Sequence, residues 1–219
     1  MKIVCISDTH TFESQITVPD GDVLIHAGDA TITGTPQEVA AFGKWLDSQP
    51  HKHKIFIAGN HDWLFERNPE QARYLIQFAG VHYLQDSSVE IDGIRFYGSP
   101  WQPRFGDWAF NVNRGRAIRQ KWDLIEPCDV LITHGPPWGV LDTVLPNSKH
   151  LGCEELGEAV GRVRPRVHVY GHIHGGAGQY IAGGTRFINA SICNEAYQIT
   201  NAPIVFEVEP EVLNFEAVA

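Results

Sequence analysis

The chain has 219 residues, with 17 Lys+Arg against 26 Asp+Glu for a formal charge of −9; 43% of residues are hydrophobic and 20% charged. That is the composition of a soluble globular protein, and a chain this long can bury about 70% of its unfolded surface without disulfide or metal staples. The acidic balance disfavours wrapping a long nucleic acid, whose phosphates need Lys and Arg, but leaves room for a small phosphorylated molecule at a locally positive centre.

Ile3–Ile6 opens the chain as a short apolar strand, too short for the core of a signal peptide. A second strand is expected at Asp22–His26. Thr35 then caps a helix, with Pro36 at its first position and Glu38 three residues after the cap; Val39, Phe42 and Leu46 form its apolar face. Lys54–Ala58 predicts a strand, about Pro69–Phe78 a helix, and Glu90–Arg95 a hairpin turning at Asp92-Gly93. A helix over about Arg114–Ile125, a strand at Val130–Thr133 and a helix over about Cys153–Val163 follow. Val167–Tyr170, Arg186–Ile188 and Ile204–Val208 read as strands, with a turn at Gly183-Gly184.

Composition is even, with no repeat or linker, so one domain over 1–219 is expected. Strands alternating with helices, then hairpins, predict an α/β protein with mixed sheets. No run approaches the ~20 apolar residues of a membrane span, so no membrane contact is expected. Cys5, Cys128, Cys153 and Cys193 lie far apart and form no Cys-x-x-Cys pair. They are expected as reduced thiols in a cytoplasmic protein.

Five of the apolar strands are each followed by Asp, Asn or His. Ile3–Ser7 leads into Asp8-Thr9-His10, Val23–Ala27 into Gly28-Asp29, and Ile55–Ala58 into Gly59-Asn60-His61-Asp62. Val130–Thr133 leads into His134, and Val167–Tyr170 into Gly171-His172-Ile173-His174. In α/β sheets the carboxyl edge is where ligands bind, so eight scattered side chains can meet in one crevice. Asp, Asn and neutral His are oxygen and nitrogen ligands suited to Mn, Fe or Zn. They are too many for one tetrahedral ion but suit two ions sharing a bridge, the usual apparatus for hydrolysing phosphate esters.

At these residues the chain resembles the calcineurin-like metallophosphoesterase superfamily. Its signature runs Asp-x-His, Gly-Asp, Gly-Asn-His-Asp/Glu, a lone His, then Gly-His-x-His. The segments Gly98–Pro103, Trp108–Asn111, Thr133–Pro137 and Phe187–Ser191 are similar to a small branch of it, which itself is similar to class III cyclic-nucleotide phosphodiesterases. The resemblance covers about Lys2 to Val208. It implies a four-layer sandwich of two mixed β-sheets flanked by helices. It also implies that Asp8, His10 and His174 hold one metal, that Asn60, His134 and His172 hold the second, and that Asp29 bridges them. His61 is implied as the proton donor to the leaving oxygen, with Asp62 either orienting it or stabilising the turn. Two departures stand out. Gly28-Asp29 continues as Ala30-Thr31 rather than the Asp-Arg-Gly of phosphoprotein phosphatases, and Gly175 stands where animal members of the branch tend to carry Glu.

The expected activity is therefore metal-dependent hydrolysis of small phosphodiesters, cyclic nucleotides such as 2′,3′-cyclic species among them, with two divalent ions, Mn first. The alternatives are a phosphomonoesterase of low specificity and a non-catalytic scaffold of the same fold. Trp101, Phe105, Trp108 and Trp138 flank the motifs and could stack a nucleobase, while Arg104 or Arg114 could meet a phosphate. Asn60, His61, Trp101 and Arg114 are the expected substrate contacts. His26, His51, His53, His82, His150 and His168 fit no motif and are expected to be structural or surface groups.

Overall fold

Strand side chains alternate between two faces, and here both faces of the central strands of each sheet are buried. The computed structural model describes residues 1–144 and 149–210. Its first six strands are β1 (Lys2–Ile6), β2 (Val23–His26), β3 (His53–Phe56), β4 (Val81–Tyr83), β5 (Ser87–Ile91) and β6 (Ile94–Ser99). Two-residue strands β7 (Gln102–Pro103) and β8 (Asn111–Val112) precede β9 (Val130–Thr133); β10 (Thr143–Val144) and β11 (Lys149–His150) are equally short. The last four are β12 (Val167–Tyr170), β13 (Gly178–Ala182), β14 (Thr185–Asn189) and β15 (Ile204–Glu207). The helices are α1 (Pro36–Ser48), α2 (Trp63–Arg67), α3 (Pro69–Leu75), α4 (Arg116–Trp122) and α5 (Glu154–Val163).

One sheet has the order β15-β1-β2-β3-β4, parallel except for β15. The other runs β13-β14-β12-β9-β6-β5, with a parallel centre and an antiparallel strand at each edge. Ile3, Cys5, Val23, Ile25 and Ile55 meet Phe96, Val130, Ile132, Val169 and Ile188 between the sheets. The alternate residues Val4, Leu24 and Phe56 face Val39, Phe42 and Leu46 of α1 and Phe65 of α2. On the far side, Tyr97, Leu131 and Tyr170 face Ile118 and Trp122 of α4 and Leu156 and Val160 of α5. The result is the expected four-layer α/β sandwich.

Local chemistry sets most of the boundaries. The Thr35 hydroxyl accepts from the Glu38 amide at 3.3 Å, and the Glu38 carboxylate accepts from the Thr35 amide at 2.8 Å, so the predicted capping box forms. Asp92-Gly93 and Gly183-Gly184 all take positive φ, which two-residue hairpin turns require. The expected hairpin at Glu90–Arg95 is longer, running from Ser87 to Ser99 as β5 and β6. The helix expected to reach Phe78 stops at Leu75, and α2 was not anticipated because five residues carry barely one helical period. The four cysteines are free thiols. No helix of the described residues is long and apolar enough to cross a membrane.

Candidate metal centre and active site

The motif-bearing strands run parallel to one another within each sheet, so their carboxyl ends open on the same side of it. A parallel bridge between Ser7, just after β1, and Ser191, just after β14, joins the two sheets at that edge. The loops turn sharply there: Asp8, His10, Asp29 and His172 have φ of 54°, 45°, 57° and 68°. Left-handed backbone in non-glycine residues costs of order 1–3 kcal/mol each and gathers at functional sites. At Gly28, with φ of 98°, a Cβ would come within 2.6 Å of His134 Nδ1, so only glycine lets this loop pass beneath the imidazole.

The imidazoles are aimed by their backbone partners. His134 Nδ1 donates to the Ala27 carbonyl at 2.9 Å and His174 Nδ1 to the Asn194 carbonyl at 2.9 Å; His10 Nδ1 lies 3.3 Å from the Thr31 carbonyl. Each Nε2 therefore points inward, as second-sphere carbonyls arrange in metal-binding histidines. His134 Nε2 faces Asn60 Oδ1 at 3.0 Å and Asp29 Oδ2 at 3.3 Å, both acceptors. His174 Nε2 faces Asp8 Oδ1 at 3.4 Å and His10 Nε2 at 3.5 Å. Lone pairs brought this close need a positive charge among them, either protons or a cation.

The electrostatics express the same need. Burial by itself would lower both His134 and His174, but Asp29 beside the first and Asp8 beside the second carry each up to about 9. Burial would likewise raise the two carboxyls, yet these imidazoles hold Asp8 and Asp29 well below the usual carboxylate range. His172, with burial and the nearby His134 cation against it, is pushed down to about 3 and keeps its lone pair. Three ligand groups result: Asp8–His10–His174, His10–Asp29–His61 and Asp29–His134–His172, each with donor atoms within 4.8 Å of one another. Asp29 is common to two of them, and Asn60 adjoins the last through His134. The structure thus brings all seven expected ligands and His61 to one place, and the donor set fits divalent cations.

Residues that are not ligands hold this arrangement in place. Asp8 Oδ2 accepts from the Ser191 hydroxyl at 2.8 Å and the His172 amide at 3.0 Å. Asp62 does not touch the His61 ring. Its carboxylate takes the amides of Gly59, Asp29 and Thr31 and the Thr31 hydroxyl, tying the loop after β2 to the loop after β3. His61 is instead oriented by the Ile32 carbonyl, 2.7 Å from Nδ1, and by the Trp108 ring, whose centroid lies 4.3 Å from its own. His26 and His168 are fully buried, each with Nε2 on a threonine beside a ligand, Thr9 at 2.9 Å and Thr133 at 2.8 Å. Neither histidine belongs to a sequence motif, so only burial reveals these pairs.

The centre opens into a cavity of about 470 Å³ whose wall includes Arg104, Phe105, Trp108, Arg114, Glu195 and Tyr197. One substrate expectation changes here. Trp101 does not line this cavity; its indole donates to Asp86 at 2.8 Å and lies under the Lys121 ammonium at 3.7 Å, because the chain turns it towards the outer helix layer. Arg114 does line it, but two guanidinium nitrogens already donate to the carbonyls of Gly152 and Leu151 at 2.9 Å each. Trp138 is exposed and packs beside His150. Tyr197 carried no sequence signal, yet its ring centroid is 4.7 Å from that of His10.

The family model for calcineurin-like phosphoesterases matches residues 1–176. The chain belongs to this family. It is 46% identical over 232 aligned residues to human metallophosphoesterase domain-containing protein 1, a match covering 94% of this chain and 71% of that one. It is 40% identical over 228 residues to UPF0046 protein K07C11.7 of Caenorhabditis elegans, covering 98% and 77%. Among solved structures, one aligns at a TM-score of 0.65 and 16% identity, covering 86% of this chain and 89% of the other. TT1561 of Thermus thermophilus aligns at 0.55 and 12%, covering 86% and 88%; both likenesses concern the fold. Family membership, together with the ligand groups, makes this a metal-binding hydrolase of phosphoester bonds.

Proposed function

We propose that the protein is a phosphodiesterase that uses two divalent ions to hydrolyse small diesters, with cyclic nucleotides such as 2′,3′-cyclic species as the substrate class. The observation that carries this reading is the adjacency of two ligand groups, Asp8–His10–His174 and Asp29–His134–His172, with an Asp29 oxygen also within 4.8 Å of a ring nitrogen of His10, beside an aromatic-walled cavity. Asp8, His10 and His174 would hold one ion and Asn60, His134 and His172 the other, with Asp29 between them. Mn suits this mixture of carboxylate, amide and imidazole donors, and Fe or Zn is also compatible. When bound, such ions supply Lewis-acid charge and a water acidic enough to attack phosphorus near neutral pH. Asn60 contributes an uncharged oxygen, so the two dications outweigh the carboxylates of Asp8 and Asp29 and the site favours an anion.

His61 spends Nδ1 on the Ile32 carbonyl, which leaves Nε2 as the atom that can hold a proton towards the cavity. As an imidazolium it would deliver that proton to the leaving oxygen, a contribution of about 10²–10⁴-fold. The Trp108 face keeps the ring from swinging, and together with Phe105 and Tyr197 it offers a surface on which a base can stack. About 470 Å³ accommodates a mononucleotide-sized ligand, since small-molecule sites span roughly 300–1,000 Å³. Free cysteines suit a reducing compartment such as the cytoplasm.

The test compares Mn-loaded protein on bis(nitrophenyl) phosphate, nitrophenyl phosphate, and 2′,3′- and 3′,5′-cyclic nucleotides, with a chelator control. We expect diester turnover that the chelator abolishes and that falls about 10²–10⁴-fold in His61→Ala with its metals retained. Faster turnover of the monoester would make the protein a phosphomonoesterase. Two bound metals per chain with no turnover of any ester would leave the scaffold reading.

A further inference from the structure

One anionic side chain on the cavity wall, Glu195, is exposed to solvent and has no protein partner among the described residues. Glu195 lies on the loop after β14, and that loop is tightly tied. Asn194 Oδ1 accepts from the amides of Ala196 and Gln198 at 3.0 Å each, and the Asn194 carbonyl accepts from His174 Nδ1 and the Tyr197 amide at 2.9 Å each. A bridge between Cys193 and Ile199 closes the loop's base. Glu195 is thereby one residue from the carbonyl that aims His174, and its carboxylate is set on the cavity wall.

That carboxylate occupies a particular space. Gly175 directly follows His174, and a Cβ built on it would collide with Glu195 Oε1, with the Thr143 carbonyl next at 3.4 Å. Glu195 thus fills the volume that a side chain at position 175 would take. Among the described residues no donor or cation is paired with it, and its carboxylate is open to solvent. The cavity's own cations, Arg104 and Arg114, come from other segments, and Arg114 is bonded to backbone carbonyls.

An unpaired negative charge on the wall of a site built for phosphate weakens phosphate binding in general, unless it discriminates among phosphates. We propose that Glu195 is a specificity-determining residue that restricts the cavity to substrates carrying one phosphate. It accepts hydrogen bonds from the hydroxyl or amino donors of the substrate's outer part and repels a second phosphate there. This rests on the phosphodiesterase reading for its substrate class and deepens it. A carboxylate opposing a phosphate across several ångströms of partly wet cavity discriminates by about three- to tenfold at low salt, and less as salt screens it.

The test measures calorimetric affinity of the Mn-loaded protein for adenosine 3′-monophosphate and adenosine 3′,5′-bisphosphate at ~0.02 and ~0.5 M salt, a range over which the Debye length shrinks several-fold. We expect the wild type to disfavour the bisphosphate about three- to tenfold at low salt, and the margin to shrink at high salt. Glu195→Gln, which keeps the shape and removes the charge, should bring the two ligands together and remove the salt dependence of their ratio. Combining Gly175→Glu with Glu195→Ala puts a carboxylate back into the same space from the neighbouring loop and should restore the discrimination. Equal discrimination by wild type and Glu195→Gln would overturn the role of Glu195, even with cyclic-nucleotide turnover intact. Discrimination that depends on Glu195 in a protein that turns over no cyclic diester would retire the diesterase reading and keep this one. A wild type that binds neither nucleotide would overturn both.

Discussion

Thr133 shows how a residue that is not itself a ligand serves the candidate metal centre. Its hydroxyl lies 2.8 Å from the Gly135 carbonyl and 2.8 Å from His168 Nε2. A carbonyl can only accept, so Thr133 donates to Gly135 and accepts from His168, which fixes the Nε2–H tautomer and braces the turn that carries His134. Burial pushes His168 from 6.5 down to about 3. In that interval the unfolded chain binds a proton that the folded chain refuses, so stability falls as pH drops from about 6.5 towards 3. His168→Gln removes this one titration. We expect the fall in unfolding free energy between pH 6 and pH 4 to become shallower by about 1.4 kcal/mol per pH unit, read from urea midpoints at fixed ionic strength. A slope equal to wild type would mean that His168 is protonated in the folded protein. Two points lay out of reach of the sequence for a reason at the residue scale. Position in the chain does not say which way Trp101 faces, nor that Asp62 spends its carboxylate on backbone amides rather than on the His61 ring.

Elements were legible where one local rule decides them. The capping box of α1 and the glycine-bearing hairpin turns could be read directly, because the required groups lie within four residues of each other. Thr35→Ala should cost about 1 kcal/mol of stability by leaving the Glu38 amide without its cap, while metal binding is unchanged. Denaturant titrations with and without Mn check both halves of that statement. α2 and the two-residue strands β7, β8, β10 and β11 were not legible, since their existence depends on partners elsewhere in the chain. The same holds for the end of α3, where Gly43 of α1 packs so closely on the Leu75 carbonyl that a Cβ there would come within 2.5 Å.

Across the whole molecule, the candidate centre is where the two sheets are joined. Asp8 at the end of β1 bonds Ser191, 183 residues away, and the His172 amide, 164 away. Divalent ions bound there would add to the cohesion of both sheets, as any ligand that prefers the folded state does. At a hundred times its dissociation constant such an ion adds about 2.7 kcal/mol, which for a chain of this size raises the melting temperature by about 5–10 °C. Thermal scans with Mn and with a chelator read this directly, and Asp29→Asn should abolish most of the difference. An identical melting temperature in Mn and in chelator would argue against any metal at this edge.

The sequence by itself determined the motif-bearing strands, the order of the motifs and the chemical types of the ligands. Each of those rests on short-range patterning: short continuous apolar runs, glycine at sharp turns, and Asp, Asn or His directly after a strand. It also held the family likeness that the comparisons bear out. Only the tertiary structure decided which side chains meet. The partnership of Glu195 with the space at Gly175, the clamp of Asp62 on two loops, the bracing by His26 and His168, and the turning away of Trp101 all join residues far apart in the chain or depend on a facing. Packing of the two sheets chooses those contacts, and no local rule contains them.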